Sequence, residues 1–414
     1  MKVRILKGTN QIGGCITEIT SNKGTKIIID FGEDLPNENI SIKNENPNID
    51  GLTIGDKMYD AVFITHSHGD HIGLINYILD DIPVYVEPIS KKIYELLSIF
   101  TYKNRRLKTN DMYFRKKIIV NDDIVVTPYI VDHSSYNSSM LLIEADGKRI
   151  LHTGDFRSHG VKGKLFESTL KEIGNVDLIV TEGTVLSRSN ERFETEDELI
   201  DKMVDVFKKY DQVFILQSST NIDRIRGFYK AAKKTGKNFI EDVFTSNVVC
   251  SLGIDSIPNP KTFNDVYTWI PSRYKKKSLN FKRKYIYPFK KYSKQKAYVD
   301  NKYVMMVKSS MIEDIEKLYN KNHITNACLV YSMWDGYKKR EDMKEFFEKI
   351  KEYGINEDNI IDIHTSGHAD IETIKKLNRL NAKKVIPIHT TEPEKLKSIL
   401  DNVKLVDELE SIDV

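Results

Sequence analysis

A chain of 414 residues that is 40% hydrophobic and 30% charged holds enough apolar material for two or three cored domains, which excludes a disordered polypeptide. Its 63 basic and 60 acidic side chains leave a net charge of only +3, so overall charge selects no partner and excludes a uniformly polycationic or polyanionic chain. Cys15, Cys250 and Cys328 share no paired spacing, which excludes a disulfide scaffold and points to free buried thiols in a reducing compartment.

Residues 1–7 are too short and too charged for a signal peptide, and no apolar run approaches membrane length. The expected location is therefore cytoplasmic, with no membrane contact. Residues 1–65 read as short strands with Gly and Asn turns, carrying an Asn- and Pro-rich surface excursion over 35–56. Residues 66–100 read as helical, and strands dominate from there to about residue 180. Over 196–210 the period becomes amphipathic, with Leu199, Ile200, Met203, Val204 and Phe207 on one side. A strand at 213–216 and a helix from about 222 follow, and the alternation repeats at 303–307, 312–319, 328–331 and 344–353. Such alternation predicts an α/β protein whose parallel domain, at 196–355, interrupts another domain made of residues 1–195 and 356–414.

The densest chemistry is His66-Ser67-His68-Gly69-Asp70-His71, directly after the apolar run Ala61-Val62-Phe63-Ile64. Imidazole suits zinc and related borderline metals, and a carboxylate can hold or bridge a second ion. A strand end is a suitable carrier, because it fixes the loop while the side chains converge. The same placement recurs. His133 follows the run 125–131, Asp155 closes 150–154, His389 ends 385–388, and Asp30 ends 26–29. Singly, each reads as a capping or turn residue; together they read as one assembled site.

This spacing resembles the metallo-β-lactamase superfamily, marked by His-x-His-x-Asp-His and then a distant His, an Asp and a last His. The resemblance implies that His66, His68 and His133 hold one divalent ion and that Asp70, His71 and His389 hold a second. Asp155 would bridge the two, and Asp30 would orient a ligand from behind. Zinc is usual in that superfamily, and manganese occurs in its nuclease branches. Thr181-Glu182-Gly183-Thr184, His364-Thr365-Ser366-Gly367-His368-Ala369 and Ile386-Pro387-Ile388-His389 resemble the motifs of the β-CASP nucleases. Gly8-Thr9-Asn10-Gln11-Ile12-Gly13-Gly14 and Ser218-Ser219-Thr220-Asn221 are similar to the Gly-rich opening and the Ser-Asn loop of ribonuclease J. The implied fold is an αββα metallo-β-lactamase sandwich with an inserted parallel α/β β-CASP domain. With 25 residues after His389, the likeness is to ribonuclease J without its C-terminal domain. Glu182 stands where ribonuclease J has Asp, Asp223 where a His is usual, and Thr390 where Gly is common.

The implied activity is metal-dependent phosphodiester hydrolysis of RNA, as an exo- or endoribonuclease with a metal-bound hydroxide as nucleophile. Two ions about 3.5–4 Å apart lower the pKa of a shared water towards roughly 7 and clamp the phosphodiester. Asp70, His368 and Glu182 are the catalytic residues of this reading. His368 would stabilise the scissile phosphate or protonate the leaving oxygen, and Glu182 would orient it. Ser366, Ser219 and Asn221 would contact a 5′-phosphate.

Between 266 and 299 there is no acidic residue, while eleven Lys and Arg from Arg273 to Lys296 interleave with Tyr274, Phe281, Tyr285, Tyr287, Phe289 and Tyr292. Cations neutralise phosphates and rings stack on bases, so this reads as a nucleic-acid track, or else as a solvated Lys-rich loop. A shorter basic stretch at 103–108 points the same way. The expected partner is single-stranded RNA, with DNA also compatible, as is a homo-oligomer. Two other functions fit this sequence: a metallohydrolase of small phosphodiesters or other esters, and a non-catalytic RNA-binding subunit.

Overall fold

The computed structural model describes residues 1–35, 47–101, 108–188, 192–293 and 302–414. Half of the excursion expected at 35–56, most of the basic stretch at 103–108, and Lys294 and Lys296 lie outside these residues. The chain forms two compact units, one of residues 1–193 with 367–414 and one of residues 194–366.

The first unit contains two mixed sheets. Seven strands run in the order Ser411–Asp413, Lys2–Lys7, Ile16–Thr20, Lys26–Ile29, Ala61–Phe63, Val84–Val86 and Asn110–Asp111. Six more run in the order Lys384–Ile388, Leu178–Glu182, Lys148–His152, Ser138–Ala145, Ile124–Val131 and Ile118–Val120. Strand side chains alternate between faces, and this alternation sorts the core. Ile27, Ile29 and Phe63 of one sheet pack with Leu141, Ile143, Ile150, Leu178, Val180 and Ile386 of the other. Ile28, Val62 and Val84 point the opposite way, towards Ile72 and Tyr94 of the helices Gly69–Ile72 and Pro88–Thr101. Leu151, Ile179 and Val385 likewise meet Phe166, Leu170 and Ile374 of the helices Leu165–Ile173 and Ile371–Lys375. The result is an αββα sandwich, with each buried aliphatic side chain contributing about 1.5–3 kcal/mol. The expectation of helix throughout 66–100 is corrected at Val84–Val86, which pairs in parallel with Val62 and Phe63 as a short strand.

Parallel pairing brings several strand ends to one rim. Ile29 lies beside Phe63, Leu151 beside Ile179, and Glu182 beside Ile388. The residues that follow these strands therefore converge.

The second unit holds one all-parallel sheet, in the order Val266–Trp269, Asn238–Asp242, Tyr303–Val307, Gln212–Leu216, Ala327–Tyr331 and Ile360–Asp362. Its four inner strands are almost wholly buried, as continuous apolar runs demand when helices cover both faces. Helix Glu196–Lys209 starts with a capping box between Thr195 and Glu198 and buries Leu199, Ile200, Met203, Val204 and Phe207. The compact unit continues past the expected limit at 355, because Ile360–Asp362 adds a strand beside Ala327–Tyr331. The acid-free segment forms short helical turns at Ser272–Lys276, Leu279–Phe281, Lys282–Ile286 and Tyr287–Tyr292. Among the described residues, no helix is long and apolar enough to cross a membrane.

Candidate metal centre

Asp30 ends its strand in the left-handed region (φ 60°) and is fully buried. Its carboxylate accepts the Thr65 amide at 2.7 Å and the Thr65 hydroxyl at 2.8 Å, and faces His71 Nδ1 at 2.8 Å. A carboxylate only accepts, so His71 carries its proton on Nδ1 and leaves Nε2 bare. The Thr65 hydroxyl has spent its one hydrogen on Asp30, so the 3.0 Å contact with His66 must run from His66 Nδ1–H to the oxygen. His66 Nε2 is then bare as well. His133 donates Nδ1–H to the Gly367 carbonyl, and His389 Nδ1 lies 2.8 Å from the Thr184 hydroxyl. Each of these four imidazoles is thus held at one nitrogen and turns the other inward, where His133 Nε2 lies 3.1 Å from His68 Nδ1 and His389 Nε2 lies 3.1 Å from Asp70 Oδ2. Their carboxylate partners fit closely: a Cβ on Gly32 would fall 1.6 Å from the Asp70 carbonyl oxygen, so only glycine lets that backbone approach.

The aimed atoms converge. His66, His68 and His133 form one group, His66, His71 and Asp155 a second, and Asp70, His71 and His389 a third, with the ligating atoms of each group within 4.8 Å of one another. His71 Nε2 lies 3.2 Å from Asp155 Oδ2, and His389 Nε2 lies 3.1 Å from Asp70 Oδ2. Among the described residues, the buried Nε2 atoms of His66 and His71 have no hydrogen-bond partner. Bare imidazole nitrogens gathered around two carboxylates are the donor set of a divalent cation of borderline softness. The residues present therefore fit such an ion.

Protonation agrees with that use at His66, His68 and His133. At His71, by contrast, burial is outweighed by the carboxylates of Asp155, Asp30 and Asp70, which raise the pKa well above the ordinary range. Burial, reinforced by neighbouring imidazoles, drives His66 and His133 well below the ordinary histidine range. Burial also pushes His68 down to about 4, against the pull of Asp70 and Asp155. For Asp70, burial is outweighed by His71 and His389; for Asp155, by His389, His71 and His368. Both carboxyls are held below the usual range. Neutral imidazoles and ionised carboxylates are the forms that bind metal.

His368 and Glu182 form a fourth such group with Asp155 and His389, and His368 is the most exposed member of it. Its Nδ1 is 3.0 Å from Glu182 Oε2 and 3.6 Å from Asp155 Oδ2, and its side chain is 20% exposed. Glu182 is itself fixed by the amides of Phe156 at 3.0 Å and Thr184 at 3.4 Å. Burial lowers the His368 pKa, but Glu182 and Asp155 outweigh it and the net shift is upward. The charge of Arg188, at the end of the turn Thr184–Ser187, also acts on both Glu182 and His368.

His66, His68, Asp70, His71, His133, Asp155, Glu182, His368 and His389 all lie in the first unit, and Ser366, Ser219 and Asn221 in the second. Ser219 is buried with its hydroxyl 2.6 Å from that of Thr245. Asn221 caps the helix Ile222–Lys234, accepting the Arg224 amide at 3.2 Å, and Ser366 is buried. The sequence reading missed Thr184, Arg188 and the Gly367 carbonyl. Thr184 and Gly367 sit inside motifs it had singled out; Arg188 has no signal beyond standing six positions after Glu182.

The model of the beta-lactamase superfamily domain matches residues 26–211. Ribonuclease J 2 of Streptococcus pyogenes is 23% identical over 255 residues, which make up 58% of this chain and 45% of that protein. Ribonuclease J of Helicobacter pylori is 32% identical over 166 residues, 38% of this chain and 23% of that one. Ribonuclease J of Pyrococcus abyssi is 24% identical over 272 residues, 58% of each. The chain thus spans roughly a quarter to just over half of the curated relatives it matches. A crystal structure of a protein of unknown function from Enterococcus faecalis shares the fold over 99% of both chains, with a TM-score of 0.76 and 20% identity. Sandwich and donor set together define a hydrolase fold of the metallo-β-lactamase class. Within that class, the curated relatives to which the chain is similar are ribonucleases J.

Proposed function

We propose that this protein is a metal-dependent phosphodiester hydrolase acting on single-stranded RNA. The observation that carries the reading is the Glu182–His368 pair, set at 3.0 Å with His368 Nδ1 3.6 Å from Asp155. It places a partly exposed, proton-bearing imidazole beside a cation-binding donor set.

His66, His68 and His133 would hold one divalent ion and Asp70, His71 and His389 another, with Asp155 shared; zinc or manganese suits these donors. When bound, the ions supply a water nucleophile near neutral pH and neutralise charge on the phosphate. The protein's own part is positional. Asp30 and the Gly367 carbonyl lock the tautomers of His71 and His133, and Glu182 takes the Nδ1 proton of His368. Glu182 and Asp155 favour the protonated form of His368, the group assigned to protonate a phosphoryl or leaving oxygen. Ser366, Ser219 and Asn221 are assigned to the 5′-phosphate.

The acid-free segment supports an RNA backbone as partner. Arg273, Lys275, Lys276, Arg283, Lys284, Lys290 and Lys291 are exposed. Its rings do less than expected. Tyr274, 2% exposed, stacks on Phe281 at 6.0 Å, Phe281 meets Tyr285 at 5.3 Å, and Phe289 is buried. These aromatics turn inward, while Tyr287 stays 38% exposed with the Lys290 ammonium over its ring, so the segment offers chiefly charge to phosphates.

The test uses 5′-end-labelled, 5′-monophosphorylated single-stranded RNA with zinc or manganese, and Asp155→Ala as control. Metal-dependent release of labelled mononucleotide establishes a 5′-exonuclease, and longer labelled fragments establish an endonuclease. Hydrolysis of bis-p-nitrophenyl phosphate with RNA left intact overturns the RNA reading in favour of a small-substrate hydrolase.

A further inference from the structure

We propose that Trp334 is a stacking platform for an unpaired nucleobase, a binding subsite within the second unit that rests on the RNA reading above. Trp334 follows the strand Ala327–Tyr331 and so lies at the carboxyl ends of the parallel strands, the edge where open α/β sheets place their ligands. Half of its side chain is in water (50% exposed). The neighbouring Met333 packs against the unit's core; Trp334 is no part of that cluster. A large ring contributes most when buried, so an indole left half in water adds little to the fold and is free for a ligand.

The ring is nonetheless held in place. The Tyr331 hydroxyl donates to the Trp334 carbonyl at 2.9 Å, and that carbonyl also accepts the Tyr337 amide at 3.0 Å. Tyr337 meets the indole edge-on, with ring centroids 5.5 Å apart and planes at 83°. A Cβ added to Gly336 would lie 2.3 Å from the six-membered ring, so the glycine backbone supports the indole where any other residue would displace it. A flat π surface fixed before binding loses little entropy when a ligand arrives. The polar residues Asp335, Lys338, Lys339 and Arg340 follow it closely in the chain. A planar ligand with polar edges suits such neighbours, and every nucleobase has a π face. This platform supplies the stacking that the inward-turned rings of the basic segment do not.

The experiment measures binding of the full chain, in EDTA to prevent cleavage, to a fluorescently labelled single-stranded RNA and to an abasic strand of the same length and charge. Stacking of about 1–3 kcal/mol per base corresponds to a roughly 5- to 150-fold weaker Kd for RNA in Trp334→Ala. Binding of the abasic strand is expected to stay as in the wild type, and Trp334→Phe to recover most of the RNA affinity. Wild-type RNA affinity in Trp334→Ala overturns the proposal, as does equal weakening on both strands, which marks a structural role. If the wild-type chain binds neither strand but hydrolyses bis-p-nitrophenyl phosphate with zinc or manganese, the RNA reading has failed and the platform falls with it. If it binds both and Trp334→Ala changes nothing, only the platform is lost.

Discussion

Both units end apolar strands in polar residues, yet the two rims use them in opposite ways. In the sandwich, His66, His71 and His133 each spend one nitrogen on a neighbour and leave the other aimed at a common point. In the parallel unit several buried polar groups answer one another. Arg224 is paired with Glu196 at 2.7 and 3.1 Å, Asp242 accepts the Thr245 hydroxyl at 2.6 Å, and Lys308 donates to the Gln217 carbonyl at 2.7 Å. The lesson concerns what is left over. A polar cluster becomes a cation site through the atoms its internal bonds leave bare, and a cluster whose members satisfy each other is scaffold.

The largest test of that contrast is Asp155→Ala. It removes the carboxylate shared by the imidazoles of His71, His368 and His389. Hydrolysis should be lost and the metal measured by elemental analysis should fall; a fully active variant would refute the assignment of two ions. Next comes His368→Ala, which leaves His66, His68, Asp70, His71, His133, Asp155 and His389 in place. Metal content should hold while turnover drops by roughly 10²–10⁴, the range for a lost general acid or base. An unchanged rate removes His368 from the chemistry.

On the scaffold side, Arg224→Met strands the buried Glu196 carboxylate, 3% exposed, without its cation. Breaking one partner of a buried pair costs about 3–5 kcal/mol, so urea unfolding of the second unit should shift by that amount. The double variant Arg224→Met with Glu196→Leu should recover much of the loss. If the single variant unfolds like the wild type, the pair is not the scaffold element described.

Sequence signals were strong where chemistry and periodicity coincide. Six residues from His66 to His71 carry four donors at the end of a buried strand, and His133, Asp155 and His389 each end an apolar run, so the donor set is readable without coordinates. The second unit's alternation is equally plain in Leu199 to Phe207 and in the run Gln212–Leu216. What escaped has physical reasons. A carbonyl such as that of Gly367 leaves no trace in side-chain type. Val84–Val86 and Ile360–Asp362 are three residues long and too short to show a period, so one was absorbed into a helix and the other left outside its sheet. Tyr274 and Phe289 look like exposed stacking rings in a basic run, and only packing shows that they face inward.

Glu241, like the buried side-chain amide of Gln217, is not fully answered by its neighbours and gives the smallest but sharpest test. It is fully buried on the strand Asn238–Asp242; one oxygen accepts the Ser246 hydroxyl at 2.9 Å and the other has no hydrogen-bond partner among the described residues. Burial, with Asp242 adding to it, raises its pKa well above the ordinary 4.5, opposite in direction to Asp155, where imidazoles outweigh the same burial. As pH rises through 4.5, the unfolded chain releases this proton while the folded chain keeps it. The folded state then binds more protons, so stability falls with rising pH until the folded group titrates in turn. Glu241→Gln keeps the shape and an acceptor for Ser246 but has no proton to lose. The variant should be more stable than the wild type at pH 7, by about 1.4 kcal/mol for each unit of pKa displacement felt there. That gain should vanish as pH drops below the ordinary carboxylate range. Urea unfolding at pH 7 and pH 4 measures both, and an equal difference at the two pH values would show that the oxygen is paid for in some other way than by its proton.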